Sequence, residues 1–240
     1  MKYPSGTLNN STQYSPVFAR EALYRKQEDS AIMRGNKDTT MTPATDQKIA
    51  QRYTASSLEK KGRNKICLQE ELGWPAEARR PVMCLPAGMS DALGGKLLTD
   101  VLPGLMKLDI ELLILGKGSS TYGTLFTKLA GMHPHKIAII PNEEVAIRKM
   151  FAAADCALFF SDPSDLPQLA QVLSYGVVPI APKSASLQDY NPVQESGNAF
   201  LYTEAEVWHC FAAIVRANET YKFPFDWRTI QRQCMESVSE

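Results

Sequence analysis

Two short segments hold the residue types and spacing that can do chemistry at the end of a strand. The first reads Leu113-Ile114-Leu115-Gly116-Lys117-Gly118-Ser119-Ser120. Glycines that leave an apolar strand and enter a helix let backbone N–H groups approach a phosphate near the helix's positive end. Gly116, Lys117, Gly118 and Ser119 are therefore the candidate nucleotide-binding residues, although a G-x-G step also serves a simple tight turn. The second segment is Ser161-Asp162-Pro163-Ser164-Asp165. Two carboxylates ahead of a helix can work as acid and base or hold a metal. Asp and Ser are equally the usual helix caps, and capping of the helix read over residues 166–176 is the expected role.

Other reactive side chains form no constellation. The cysteines Cys67, Cys84, Cys156, Cys210 and Cys234 are odd in number, scattered and without a C-x-x-C pair. That pattern argues against a disulfide framework or a zinc site. Cys84 and Cys156 lie in apolar runs and are expected to pack as small hydrophobes. His133 and His135 flank Pro134 in a turn, and no Asp or Cys partner pattern accompanies them or His209. Neither a metal ligand nor a catalytic residue is assigned. The basic run at residues 59–65, EKKGRNK, reads as a solvated helix end or loop rather than a phosphate site.

From Pro81 onward the chain alternates between short apolar runs and stretches of helical spacing. The runs cover residues 81–87, 110–118, 135–141, 156–162, 177–182 and 198–202. Helical patterns cover 94–108, 120–132, 142–155, 166–176, 205–221 and 225–238. Strands without strict alternation suit a parallel sheet covered on both faces. Right-handed crossovers then give an α/β, doubly wound, mostly parallel Rossmann-like sheet. Ligands of such sheets bind beyond the strands' carboxyl ends, so the loops that matter are 86–95, 116–120, 141–142, 161–166 and 182–188. Gly176 is expected as a helix C-cap, Trp227 as a packing anchor and Arg228 as a solvated charge.

Upstream, residues 1–45 read as an extended arm interrupted by a helical patch at 16–27, and residues 46–240 as the domain. A helix start is expected near Thr45 or Asp46. A further helix over 64–72 stops at Gly73 with Pro75 beyond.

Composition bounds the function. The 240 residues carry 26 basic and 26 acidic side chains, so nothing electrostatic points to nucleic acid or an anionic membrane. Apolar residues make up 44% and charged ones 22%, ordinary for a soluble globular chain. No run approaches 18 uninterrupted apolar residues, and the polar opening MKYPSGTLNNSTQYSP lacks a signal peptide's apolar core. A soluble, cytoplasmic protein is expected.

Several of these segments, taken in one register, resemble the C-terminal half of bacterial glycogen synthases and plant starch synthases. RGNKDTTMTPATD at 34–46 is similar to the family's N-G-I-D-T-x-x-W-N-P-A-T-D. NKICLQEELG at 64–73 resembles N-K-x-x-L-Q-x-E-L-G, and LLILGKGS at 112–119 resembles the L-G-x-G-D loop. NEEVAIRKMFAAADCALFFS at 142–161, LSYGVVPIAP at 173–182 and DWRTIQRQCM at 226–235 continue the likeness over nearly the whole chain. The resemblance implies the C-terminal domain of a two-domain glycosyltransferase fold, related to α-1,4-glucan synthesis from ADP-glucose.

It also implies specific losses. The family's R-L-x-x-Q-K-G, whose Arg and Lys neutralise the departing diphosphate, stands here as AGMSDALGG, with Gly88 and Leu93 at those positions. The Glu of E-P-C-G-L and a second Glu eight residues on are Pro163 and Gln171. The later G-G reads Ala185-Ser186, and the acid of the G-x-G-D loop is Ser119. The acceptor-binding first domain has no counterpart in the sequence. The expected function is therefore a hexosyltransferase-like domain, a pseudoenzyme with no independent catalysis. Its only ligands would be weakly held ADP or ADP-glucose, or an α-glucan, with no cofactor. The alternatives are an interaction module docking a synthase partner, an N-terminal-domain partner or a second copy, and one half of an enzyme completed in trans.

Overall fold

The computed structural model describes residues 42–238. The expected arm, except for its last four residues, and the helical patch at 16–27 lie outside the described residues. The elements are α1 (Lys61–Glu71), β1 (Val82–Leu85), α2 (Gly95–Leu105), β2 (Glu111–Leu115), α3 (Ser120–Met132), β3 (Ile137–Ile140) and α4 (Glu144–Ala153). They continue with β4 (Cys156–Leu158), α5 (Pro167–Ser174), β5 (Val178–Pro182), β6 (Phe200–Tyr202), α6 (Val207–Thr220) and α7 (Pro224–Glu236). No helix among the described residues is long and apolar enough to cross a membrane.

Six parallel strands run in the order β3-β2-β1-β4-β5-β6. This is the expected doubly wound sheet, and its strand order reverses between β1 and β4. Every residue of β1, β2 and β4 is buried, which is why these runs are apolar without alternation. Helices cover both faces. α2 packs on α6 across one face, while α1 packs on α4 and α5 on α7 across the other. Leu98, Val101, Leu102 and Leu105 give α2 its apolar stripe. Gly73 ends the turn after α1 with a φ of 70°, and Gly176 follows α5 with a φ of 60°, both in the left-handed region that glycine enters without strain. Trp227 is buried against Phe200 and Tyr221, and Arg228 is exposed, both as expected. Cys84 and Cys156 are core residues, and burial pushes the Cys84 thiol up to about 12.

Two expectations are corrected. No helix starts at Thr45 or Asp46; residues 43–57 run as turns and irregular chain before a 3-10 turn at Leu58–Lys60. The Asn64 side chain binds the backbone N–H and C=O of Gln51, both at 2.8 Å, and Tyr53 N–H donates to Pro43 O at 3.2 Å. Those bonds supply partners that a helix would otherwise have provided. Asp46 does not cap. It is fully buried and accepts from Lys48 N–H, the Tyr175 hydroxyl and Arg148.

The second correction concerns the basic run. Lys61 and Lys65 are buried, at 4% and 3% exposure, rather than solvated. Lys61 Nζ donates to Phe151 O (2.8 Å) and Ala152 O (3.1 Å) at the end of α4, and to Tyr175 O (3.1 Å) at the end of α5. One amine thereby serves the orphan carbonyls of two helix C-termini. Lys65 Nζ pairs with Asp155 at 2.6 Å and donates to Ala78 O, Arg80 O and the Tyr221 hydroxyl. Asp155 in turn accepts from Val82 N–H at 2.8 Å, where β1 begins. A composition count sees two charges here; only the fold shows that each has a shell of oxygens.

Replacing Lys65 by Met leaves the Asp155 carboxylate buried without its cation. We expect a loss of roughly 3–5 kcal/mol in the urea unfolding free energy. Lys61 gives a pH dependence. Burial lowers its pKa to about 7 from 10.5, so the folded chain holds this proton less tightly than the unfolded chain. The penalty is complete below pH 7 and is relieved as pH rises from about 7 towards 10.5. Urea midpoints compared across that window should rise in the natural chain relative to Lys61→Met; parallel curves would refute the linkage.

Candidate functional site

The carboxyl edge of the sheet is where the helices begin, so the loops leaving β1, β2, β4 and β5 converge there. The β1 and β2 loops are joined by backbone. Met89 N–H donates to Lys117 O at 3.1 Å, and Ser119 N–H donates to Met89 O at 3.0 Å. Gly88 and Gly118 make this clasp fit. Their φ angles are 70° and 125°, and a Cβ would stand 2.0 Å from Lys117 O at Gly88 and 2.0 Å from Met89 O at Gly118. On its other side the β1 loop touches the β4 loop: a Cβ on Gly94 would lie 2.3 Å from Phe160 O. Gly95 opens α2 against the Tyr122 ring, whose hydroxyl donates to Asp91 Oδ1 at 2.6 Å. That bond to a carboxylate raises the Tyr122 pKa.

Residues 116–119 sit at the carboxyl end of β2, one strand away from the reversal point, and their donors are largely engaged. Gly116 N–H donates to Ile140 O (2.8 Å), Lys117 N–H to Leu115 O (2.7 Å) and Ser119 N–H to Met89 O. Among the described residues the Gly118 N–H has no acceptor. Lys117, Gly118 and Ser119 are exposed, and among the described residues the Lys117 amine enters no ion pair.

The β4 loop does not cap its helix. The N-cap of α5 is Leu166 and makes no side-chain bond. Asp162 instead accepts from the amide and hydroxyl of Ser164, at 3.0 and 2.7 Å. The Ser164 hydroxyl reaches Ser184 in the β5 loop at 2.7 Å, and Ser186 lies 3.3 Å from Ser164. Ser164's hydroxyl and amide hold the Asp162 carboxyl below the usual carboxylate range, against the opposing effect of desolvation. The loops after β4 and β5 are thus tied by hydroxyls. Pro163 is buried, Gln171 is exposed on α5, and Ala185 and Ser186 are exposed. Leu93 packs its side chain against the core. Tyr122, Asp91, Ser184 and Ser186 were not chosen from sequence; nothing short of loop packing links residues so far apart in the chain.

A cavity of about 1000 Å³ opens at the opposite, amino edge, beside Lys65, Arg80, Asp155, Tyr221 and Arg228. Size alone would favour it. Its central charges are already matched, however. Lys65 has Asp155, and Arg80 faces Glu77, Asp109 and Glu111 at 3.3, 3.0 and 3.8 Å. The carboxyl edge remains the candidate site because the topology aims its loops there.

The glycine clasp is testable. Gly118→Ala should cost about 1–3 kcal/mol, from a Cβ forced onto a carbonyl in a left-handed conformation. Gly131→Ala, where nothing lies within 4 Å of the added carbon, should not destabilise. Equal midpoints for the two variants in chemical denaturation would show that the clasp is dispensable.

No family model matches the chain. It is 31% identical over 214 residues to glycogen synthase 1 of Synechocystis sp., covering 86% of this chain and 45% of that one. To the glycogen synthase of Gloeobacter violaceus it is 30% identical, covering 94% of this chain and 54% of that one. The chain thus spans about half the length of the curated relatives it matches. Among solved structures it is similar to the catalytic domain of starch synthase IV from Arabidopsis thaliana, bound to ADP and acarbose. The TM-score is 0.71 at 23% identity, over 83% of this chain and 47% of that one. It also matches the C-terminal domain of a group 1 glycosyl transferase (LpcC) from Francisella tularensis. There the TM-score is 0.54 at 13% identity, over 73% of this chain and 91% of that domain.

Proposed function

We propose that this chain, homologous to one half of the glycogen synthases, is a glycogen/starch-synthase-type domain that binds a nucleotide sugar weakly and does not transfer glucose by itself. The observation that carries the reading is the β1 loop. The family resemblance puts Arg at position 88 and Lys at 93; here Gly88 has a carbonyl where a side chain would begin, and Leu93 rests on the core. A departing diphosphate develops charge that fixed cations must meet, and loss of one such stabiliser typically costs ~10²–10³ in rate. Pro163 and Gln171 at the sugar-side positions remove carboxylates as well.

Binding is assigned to Gly116, Lys117, Gly118 and Ser119. The Lys117 amine supplies the cation, the Gly118 N–H a donor, and the start of α3 its positive end. The ligand class, ADP or ADP-glucose, or an α-glucan, is supported by the starch synthase neighbour, which was solved with ADP and acarbose. In this reading residues 1–45 are an arm ahead of the domain at 46–240. Pro43 is buried, so packing reaches into the arm's last residues.

Calorimetric titration with ADP and ADP-glucose tests the assignment. Weak, saturable binding is expected, lowered at least about fivefold by Lys117→Ala, a loss of roughly 1 kcal/mol. Lys107→Ala, at the amino edge, should leave it unchanged. Silence at millimolar ligand removes the binding assignment. Incorporation of labelled glucose into glycogen by the chain alone removes the claim of no transfer.

A second reading, a module that docks a synthase partner or another copy, is favoured by Trp208, Phe223 and Phe225, exposed at 78%, 60% and 71%. Light scattering across concentration and binding to a separate synthase first domain distinguish it; a strict monomer without partner binding counts against it.

A further inference from the structure

Where β6 leaves the sheet and turns into α6, three side chains distant from the clasp converge. Glu204 lies on the connection, Glu206 is the N-cap of α6, and His209 is in its first turn, three residues on and on the same face. His209 Nδ1 stands 3.9 Å from Glu204 Oε2 and 3.9 Å from Glu206 Oε2. One ligand atom from each falls within 4.8 Å of the others, and among the described residues no other such trio occurs. Neither glutamate has a Lys or Arg partner among the described ion pairs. Two carboxylates held this close repel each other, and a divalent cation is the charge that would relieve them.

The geometry points to a surface site for a divalent cation of the Zn²⁺ class, held by Glu204, Glu206 and His209. One imidazole nitrogen and two carboxylate oxygens form a ligand set such ions accept, with water completing the shell. Bonds of about 2.0–2.2 Å in a tetrahedral shell place neighbouring ligand atoms about 3.4 Å apart. The observed 3.9 Å separations therefore close by rotation of exposed side chains, without backbone movement. The bound ion would tie the connection after the edge strand β6 to the first turn of α6. Sequence inspection passes over His209 because it seeks Asp or Cys partners; here the partners are glutamates five and three residues earlier. The site is independent of nucleotide binding and of the presence or absence of transfer activity.

The test uses the full chain and ZnCl₂ in a non-coordinating buffer, followed by calorimetry. One Zn²⁺ per chain is expected, with affinity lowered at least about tenfold by His209→Ala and by Glu206→Gln. The double variant His133→Ala/His135→Ala should bind as the natural chain does. Trp208 provides a second readout. It is exposed beside His209, whereas Trp74 and Trp227 are buried, so Ni²⁺ should quench its emission, and Trp208→Phe should abolish the quenching. Because the three ligands are exposed, the metal-free variants should melt with the natural chain. No saturable Zn²⁺ binding at millimolar concentration overturns the site, as does unchanged affinity in His209→Ala or a loss in the His133/His135 variant.

Discussion

An amine without water must find oxygen, and two such amines sit one turn apart on α1. Lys61 reaches the carboxyl ends of α4 and α5, and Lys65 reaches Asp155 and the chain entering β1. The end of α4 leads into β4 and the end of α5 into β5. One helix therefore sets the positions of the strands on one side of the reversal point. The loops after β4 and β5 inherit their placement from this arrangement. The cost of leaving either amine or Asp155 unmatched is what keeps the contacts together.

At that edge the dominant constraint is space rather than charge. Gly88, Gly94, Gly95 and Gly118 let three loops and a helix start approach at distances a Cβ would forbid. The same closeness excludes a long cation from position 88. The meeting of the β1 and β2 loops is a packed backbone seam, with the Lys117 side chain exposed beside it. Hydroxyls join the neighbouring loops, where Ser164, Ser184 and Ser186 link the chain after β4 to the chain after β5.

Local pattern carried much of this. Apolar runs without alternation announced buried parallel strands, and the six runs from Pro81 onward each contain an observed strand. The stop at Gly73, the left-handed Gly176 and the inert core cysteines followed from residue type alone. Where pattern misled, long-range bonding was the cause. Asp46 looked like a helix cap because Asp usually is one, yet it serves Tyr175 and Arg148 from more than a hundred residues away in sequence. Lys61 and Lys65 looked solvated because lysines usually are, yet their acceptors lie mostly on other elements. Asp162 caps a turn instead of α5, because Ser164 is nearer than the helix start.

The amino-acid order thus determined the strands, helices and doubly wound class, since periodicity and glycine placement are properties of neighbouring residues. It also determined that positions 88 and 93 carry no cation, which is a matter of identity. Tertiary structure alone decided which charges are buried and who satisfies them. It also decided which amides of the Gly116–Ser119 loop remain available and which distant loops share a hydroxyl bridge. Those outcomes depend on distances between segments brought together by crossovers, and no local pattern encodes such distances.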